Sequence, residues 1–477
     1  MKISKPSFVI ALILVLSSCN GTQQKKVSAS AISDGREMWM TTADQSALFE
    51  KMTWENIRHS TNDSVLKITI DADEKFQTID GFGYTLTGGS ARLMQSMHKT
   101  EKEKLLNELF ATDENNIGIS YLRISVGASD LSDSVFTYND LPVGEKDLDL
   151  NKFSIDVEKI YLIPLLKAIK IISPEVQLMG SPWSAPAWMK DNESLKGGSL
   201  KPEFYEVYAN YLVKYLKMMK AEGLKIDALT VQNEPLHPGN NPSMFMSAED
   251  QTRFVKNFLG PAFEREGIST KIIIYDHNAD RTDYPISILN DENARKYIDG
   301  SAFHLYGGQV NDISKVHEAH PDKNLYFTEQ WIGGPANFSG DLNWHIENLI
   351  VGATRNWCRT VLEWNLAADS NYEPHADKGG CTSCLGAITV NGDAVERNPA
   401  YYIIAHASKF VRPGSVRIAS NLPANLPNVA FLTPDDRVVI VVLNKSPENT
   451  EFQMELGDAI YPSQLDAGAV ATFVLPL

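Results

Sequence analysis

With 477 residues, 43% of them hydrophobic and 9% aromatic, the chain can bury a large core, and wholesale disorder is excluded. A formal net charge of −16 leaves no basic surplus to displace counterions, which excludes nucleic acid and an anionic membrane surface as charge-driven partners. The length accommodates an α/β barrel, a unit that commonly runs to about 250 residues or more, together with an appended domain.

Residues 1–18 read as a signal peptide. Lys2 and Lys5 form a short basic region, and residues 8–16 are an apolar run too short to span a bilayer. The run ends in Leu16-Ser17-Ser18-Cys19, which resembles a bacterial lipobox with Cys19 as the lipidated residue; a plain secretory cleavage nearby is the alternative. Residues 19–60 are then expected to be a tether and lead-in, because the stretch after Cys19, NGTQQKKVSASAISDG, is small and polar. The implied location is outside the inner membrane, periplasmic or at the cell surface, with membrane contact through the lipid alone.

Leu66, Ile68 and Ile70 alternate in SVLKITID, so residues 61–80 are expected to supply one half-buried strand to a β-domain. From 81 to 400, short apolar runs alternate with amphipathic stretches. Strands are predicted at 81–86, 121–125, 176–181, 228–231, 271–275, 300–304, 324–327 and 359–362. Helices are predicted at 154–172 and 203–222. The second carries Phe204, Tyr208, Tyr211, Leu212, Tyr215, Leu216 and Met219 on one stripe and should stop at Gly223. Eight βα units in succession predict a (β/α)8 TIM barrel. After Pro413-Gly414 the pattern turns strand-rich, at 416–419, 429–432, 438–443 and 470–475. Residues 401–477 should therefore build a side β-sandwich with the strand from 61–80.

With Cys19 set aside, Cys358, Cys381 and Cys384 remain, an odd number for an oxidising compartment. Cys381-Thr382-Ser383-Cys384 reads as a tight disulfide or as half of a metal site, for which only His375 lies near as a further ligand. No cofactor and no metal is expected.

Chemistry in such a barrel gathers at the C-terminal ends of the strands. The fourth predicted strand breaks into Gln232-Asn233-Glu234-Pro235, and the seventh ends in Thr328-Glu329-Gln330-Trp331. Strands four and seven face each other across the axis, so both carboxylates can meet at the mouth. Glycosidic cleavage needs one carboxyl group protonated for the leaving oxygen and one ionised for the anomeric carbon. Tyr306, two residues past the sixth strand, is placed to hydrogen-bond Glu329 and keep it ionised. Trp183, in SPWSAPAW, and Trp364, in EWN, supply flat faces for pyranose rings. The competing readings are two glutamates capping surface helices and two tryptophans filling the core.

These segments resemble glycoside hydrolase family 30, the family of glucosylceramidases and β-1,6-glucanases. The resemblance rests on the order and spacing of IDGFGYTLTGGSA, YLRISVGASDLS, GSPWSAPAWMK, TVQNEP, FHLYGG, LYFTEQW, LEWNLA, YYIIAHASKFVRPGSVRI and VVLNKS. It implies a retaining β-glycosidase working by double displacement, with Glu234 as acid/base and Glu329 as nucleophile. Asn233 matches the residue that bonds the sugar 2-hydroxyl, and Trp183 and Trp364 match sugar-contacting tryptophans. Arg123, His304 and Tyr306 match residues around the nucleophile; Arg123 alone also reads as a structural ion pair.

Glucosylceramidase-type members carry Thr-Asp in the first-strand motif, with the Asp gripping sugar hydroxyls, whereas this chain reads Thr87-Gly88-Gly89. Gly379-Gly380-Cys381-Thr382-Ser383-Cys384 is also absent from that pattern, so the expected substrate moves toward β-1,6-glucan or related gluco-oligosaccharides. The alternatives are a retaining barrel enzyme for β-xylan, β-galactan or β-fucoside, and a non-catalytic glycan-binding lipoprotein. A metal-dependent hydrolase using Asp276, His277 and Asn278 is weaker, because adjacent residues of an extended strand point apart.

Overall fold

The computed structural model describes residues 35–54 and 65–477; the leader, the lipobox with Cys19, the polar stretch to residue 34 and residues 55–64 lie outside them. Among the described residues, no helix is long and apolar enough to cross a membrane.

Eight parallel strands close into a barrel. In chain order they are Gly81–Thr85, Tyr121–Val126, Gln177–Pro182, Ala228–Thr230, Lys271–Asn278, Ile298–His304, Asn324–Glu329 and Cys358–Asn365. All eight coincide with predicted runs. The fifth and eighth extend three residues further at their C-terminal ends, into Asp276-His277-Asn278 and Glu363-Trp364-Asn365. The register with the sixth strand shifts by one residue at Asp276, and pairing then resumes (His277 opposite Phe303, Asn278 opposite His304), so backbone pairing continues where the side chains turn to the mouth.

The helix predicted at 154–172 divides into a 3-10 turn, Asp156–Lys159, and a helix, Leu162–Ile172. Pro164 has no N–H to give and is tolerated only in a first turn, so the α-helix starts just before it. The next helix, Tyr205–Ala221, buries its tyrosine stripe against the barrel and ends as expected: Gly223, at φ +84°, takes a left-handed conformation a side chain would resist.

Nine strands form one continuous sheet beside the barrel. Alternation decides its two faces: Val438, Ile440 and Val442 enter the sheet domain's own core, while Val439, Val441 and Leu443 pack into the barrel's core. Ile68, Ile70, Phe452 and Met454 complete the inner core, so the sheet closes over itself as a sandwich. Leu66–Thr78 joins it as expected. Three boundaries differ from the sequence reading. Glu37–Thr41 and Leu48–Met52, inside the stretch expected as lead-in, are sandwich strands. Thr450–Leu456 and Ala459–Leu465 add two unpredicted strands; Pro462 masks the second, and it is tolerated because that strand lies at the sheet's edge. The helix Pro399–Ser408 crosses the expected boundary at residue 400. All ten of its residues are buried, and it contacts both the first barrel strand and the sandwich.

His406 on that helix fastens the two bodies. Its Nδ1 and Nε2 lie 2.9 Å from the hydroxyls of Thr472 and Thr41, both on sandwich strands. Burial pushes its pKa down to about 3 from 6.5. The folded value is depressed, so the stabilisation is complete above the unfolded value and is lost as pH falls from about 6.5 toward about 3. Each pH unit in that window costs about 1.4 kcal/mol. His406→Gln should flatten the acid limb of urea-denaturation stability measured between about pH 4 and 7. An unchanged slope would remove His406 as its source.

Candidate active site

Arg123, on the second strand, stands at the centre of the barrel mouth with no solvent exposure. Its Nη1 donates to Glu329 Oε2 at 2.6 Å, and Nη2 to Asn233 Oδ1 at 2.5 Å and Asp276 Oδ2 at 2.9 Å. Nε donates to Ser181 at 3.0 Å, and the guanidinium lies 4.8 Å from the Trp183 ring centroid and 5.8 Å from that of Trp364. A buried cation is tolerable only when paired, and here the ends of the third, fourth, fifth and seventh strands each supply a partner.

Asp276 is equally buried. Thr230 and Thr328 each donate to it at 2.7 Å, and His304 Nε2 lies 3.2 Å from its Oδ1. Burial opposes its charge, but Arg123, His304 and Thr328 together outweigh it and hold the carboxyl far below the usual carboxylate range. His304 Nδ1 faces Glu234 Oε1 at 3.1 Å and Glu329 Oε1 at 3.9 Å. Burial disfavours its charge too, yet Glu329, Asp276 and Glu234 raise its pKa to about 9.

Glu234 and Glu329 meet across the mouth, with one carboxylate oxygen of each within 4.8 Å of the other. Glu234 reaches that position through a left-handed backbone, φ +44°, pinned by its N–H donating to the carbonyl of Asp276, which is itself at φ +66°. Such conformations cost about 1–3 kcal/mol each and persist where the surroundings impose them. Glu329 Oε1 accepts from Tyr306 at 3.0 Å and Oε2 from Arg123. Burial and the nearby charge of Glu234 raise the Glu329 pKa above the usual carboxylate value, against the opposing charges of His304 and Arg123. Donors on both oxygens favour its ionised form, since protonation would forfeit one of them. Burial also raises Glu234, but the His304 bond and the charges of His304, His277 and His237 together outweigh it and hold Glu234 low in the free protein.

The carboxylates open into a cavity of about 390 Å³ walled by Trp183, Trp364, Trp331 and the Cys381–Cys384 disulfide. Of the predicted residues, Glu234, Glu329, Trp183, Trp364 and Tyr306 line it. Arg123 and His304 lie fully buried behind it, so they reach a ligand only through the carboxylates they hold. Asn233 spends its carbonyl oxygen on Arg123, which leaves its NH2 as the group offered to a ligand. The Cys381-Thr-Ser-Cys384 segment is a disulfide, and Cys358 is a buried free thiol. Glu234, His304 and Glu329 have the spacing of metal ligands, but Arg123 and Tyr306 occupy Glu329, and both His304 nitrogens face carboxylates.

Several residues of the site escaped the sequence reading. Asp276 was weighed only as a metal ligand, although a polar run after KIIIY marks a strand end as clearly as QNEP does. Asp130, His237 and Asn240 line the cavity from loops that periodicity does not describe, and His277 lines it from the end of the fifth strand. Asp130 also changes the meaning of the Thr87-Gly88 departure. A Cβ on Gly88 would sit 2.9 Å from the Ser132 hydroxyl, away from the cavity, whereas the Asp130 carboxyl enters it. Burial and the charge of Glu329 push Asp130 up to about 8.

A closed parallel barrel with two opposed carboxylates in an aromatic-walled cavity defines a glycoside hydrolase. The glycosyl hydrolase family 30 TIM-barrel domain matches residues 79–411, and the family's beta sandwich domain matches 414–473; the chain belongs to glycosyl hydrolase family 30. The endo-1,6-beta-D-glucanase neg1 of Aspergillus fumigatus is 31% identical over 87% of this chain and 89% of its own. The mouse lysosomal acid glucosylceramidase is 30% identical over 80% of this chain and 78% of its own. Among solved structures, the endo-beta1,6-glucanase BT3312 superposes with a TM-score of 0.86 at 33% identity, over 93% of this chain and 99% of that one.

Asp276→Asn would remove one of the three carboxylates that face His304. Ring-nitrogen NMR should then show the His304 pKa, about 9 in the native protein, falling. An unchanged titration would show that Glu234 and Glu329 suffice.

Proposed function

We propose that the protein hydrolyses β-1,6-glucosidic bonds of glucans or gluco-oligosaccharides with retention, Glu329 acting as nucleophile and Glu234 as acid/base. The observation that carries this reading is the approach of the two carboxylates within 4.8 Å, with unlike partners around each. Retaining enzymes hold the pair about 5–5.5 Å apart, while inverting ones leave room for a water at about 6.5–9.5 Å. The linkage is supported by the 1,6-glucanase relatives in sequence and in structure.

In the first step Glu329 attacks the anomeric carbon, the bond to the leaving oxygen breaks, and Glu234 gives that oxygen its proton. The proton comes from the 3.1 Å bond to His304: it rests on Nδ1 while Glu234 is charged and crosses to Oε1 as the leaving oxygen approaches. In the second step Glu234 takes a proton from water, the water oxygen attacks the anomeric carbon, and the ester to Glu329 breaks. The NH2 of Asn233 is assigned to bond the sugar 2-hydroxyl, an interaction that strengthens in the transition state. Export and lipidation at Cys19 are part of the proposal and rest on the lipobox-like run alone. Cys19→Ser should abolish incorporation of a radiolabelled fatty acid; labelling of that variant would remove Cys19 as the anchor.

Incubation with a linear β-1,6-glucan should release gentio-oligosaccharides or glucose, while β-1,3- and β-1,4-glucans remain intact. Turnover of another glycan alone would keep the two glutamates and transfer the specificity. Glu234→Ala should slow β-1,6-glucan cleavage by about 10²–10⁴-fold, while the glycosylation step with a dinitrophenyl glycoside is largely spared. Equal losses on both would contradict the acid role. The shared proton also places the basic limb of kcat/KM with the His304–Glu234 pair, and His304→Gln should move that limb to lower pH.

A further inference from the structure

We infer that the Cys381–Cys384 disulfide is a specificity-determining element: it fixes the loop that, with Trp331, receives the second sugar on the glycone side of the cavity. The inference rests on the glycosidase reading above and deepens it.

The cavity has two unlike ends. His237, Asn240 and His277 flank Glu234, and Asn240 donates to its Oε2 at 3.3 Å, so the leaving group lies on that side. At the other end Cys384 packs with Leu131, Trp183 and Trp364 in one apolar cluster, with Trp331 and Cys381 against it. A sugar whose anomeric carbon sits between the two glutamates therefore extends its far side toward the disulfide. The bridged loop is tied at three places around the mouth. Its strand Cys384–Leu385 pairs with Ile332–Gly333, just past Glu329, and Gly334 N–H donates to Ser383 O at 2.8 Å. Ala376 N–H donates to the carbonyl of Asp130 at 2.8 Å, and Asn241 Nδ2 to that of Lys378 at 2.7 Å. Between these ties lie Gly379, at φ +85°, and Gly380, where a Cβ would strike Ala376 O at 2.5 Å. Two adjacent glycines leave the approach to Cys381 with high conformational entropy, and the bridge closes the four-residue turn that follows them, removing that turn's own freedom. The bridge thus turns a loose turn into a rigid apolar wall, and a sugar packed against it gives up no loop entropy on binding.

The test compares kcat/KM on β-1,6-gluco-oligosaccharides of two to five units with kcat/KM on an aryl β-glucoside, which fills only the first glycone position. The full chain is assayed oxidised, reduced by a phosphine with thiols counted by mass spectrometry, and as Cys381→Ser/Cys384→Ser and Trp331→Ala variants. The expected result is a several-fold fall in the oligosaccharide-to-aryl ratio for the reduced protein and for both variants, reversed on reoxidation of the wild type and insensitive to reductant in the double-serine variant. A ratio that holds within twofold after verified reduction, or an equal loss on both substrates, overturns the inference. If the oxidised wild type cleaves only another glycan, the linkage reading fails separately. The same ratio, taken on oligosaccharides of that glycan, then decides the inference.

Discussion

The site is organised around one buried guanidinium. Arg123 has no solvent exposure, and its charge is met by Asp276 and Glu329 at 2.9 and 2.6 Å. Removing one partner of a buried pair costs about 3–5 kcal/mol, because the other charge is left without water or counterion. That constraint forces the strand ends to converge. Asp276 shares the compensation with Glu329 and is in turn held by Thr230, Thr328 and His304. Glu329 is thereby stabilised as an anion without being consumed by the pairing, since its second oxygen faces Tyr306 and the cavity. The same network delivers His304 to Glu234, so one cluster distinguishes the two carboxylates chemically.

Backbone strain is also present at the same place. Glu234, Tyr275 and Asp276 all adopt positive φ, and the hydrogen bond from Glu234 N–H to Asp276 O locks two of them together. The surrounding barrel is apolar and close-packed, with the sandwich fastened to its last helix through His406. A rigid frame of this kind can impose conformations that the isolated turns would relax.

The barrel was legible in the sequence because each strand is a short apolar run with a polar break at its C-terminal end, as in ALTV-QNEP and LYF-TEQW. Glu234 and Glu329 stood out because they sit immediately past such breaks. Periodicity could not report partners distant in sequence. Nothing near Asp276 announces that it neutralises a residue 153 positions earlier, and nothing near Gly88 shows that its side faces Ser132. The Cys381–Cys384 spacing allowed a disulfide or half a metal site, and only three-dimensional placement shows the bridge as a cavity wall. The two early sandwich strands were missed because EMWMT and LFEKM are short and close to a polar leader, and the first finds its sheet partner more than 400 positions away while the second pairs only with the first.

The central claim is that Glu329 forms a covalent glycosyl intermediate and that two displacements follow one another. The most direct measurement is the anomeric configuration of the first-formed sugar, followed by proton NMR in the first minutes of hydrolysis, before mutarotation. Two inversions at the anomeric carbon predict that the β-anomer appears first and the α-anomer only as the solution equilibrates. An α-anomer as the initial product would mean a single displacement by water, and it would contradict the roles assigned to both glutamates.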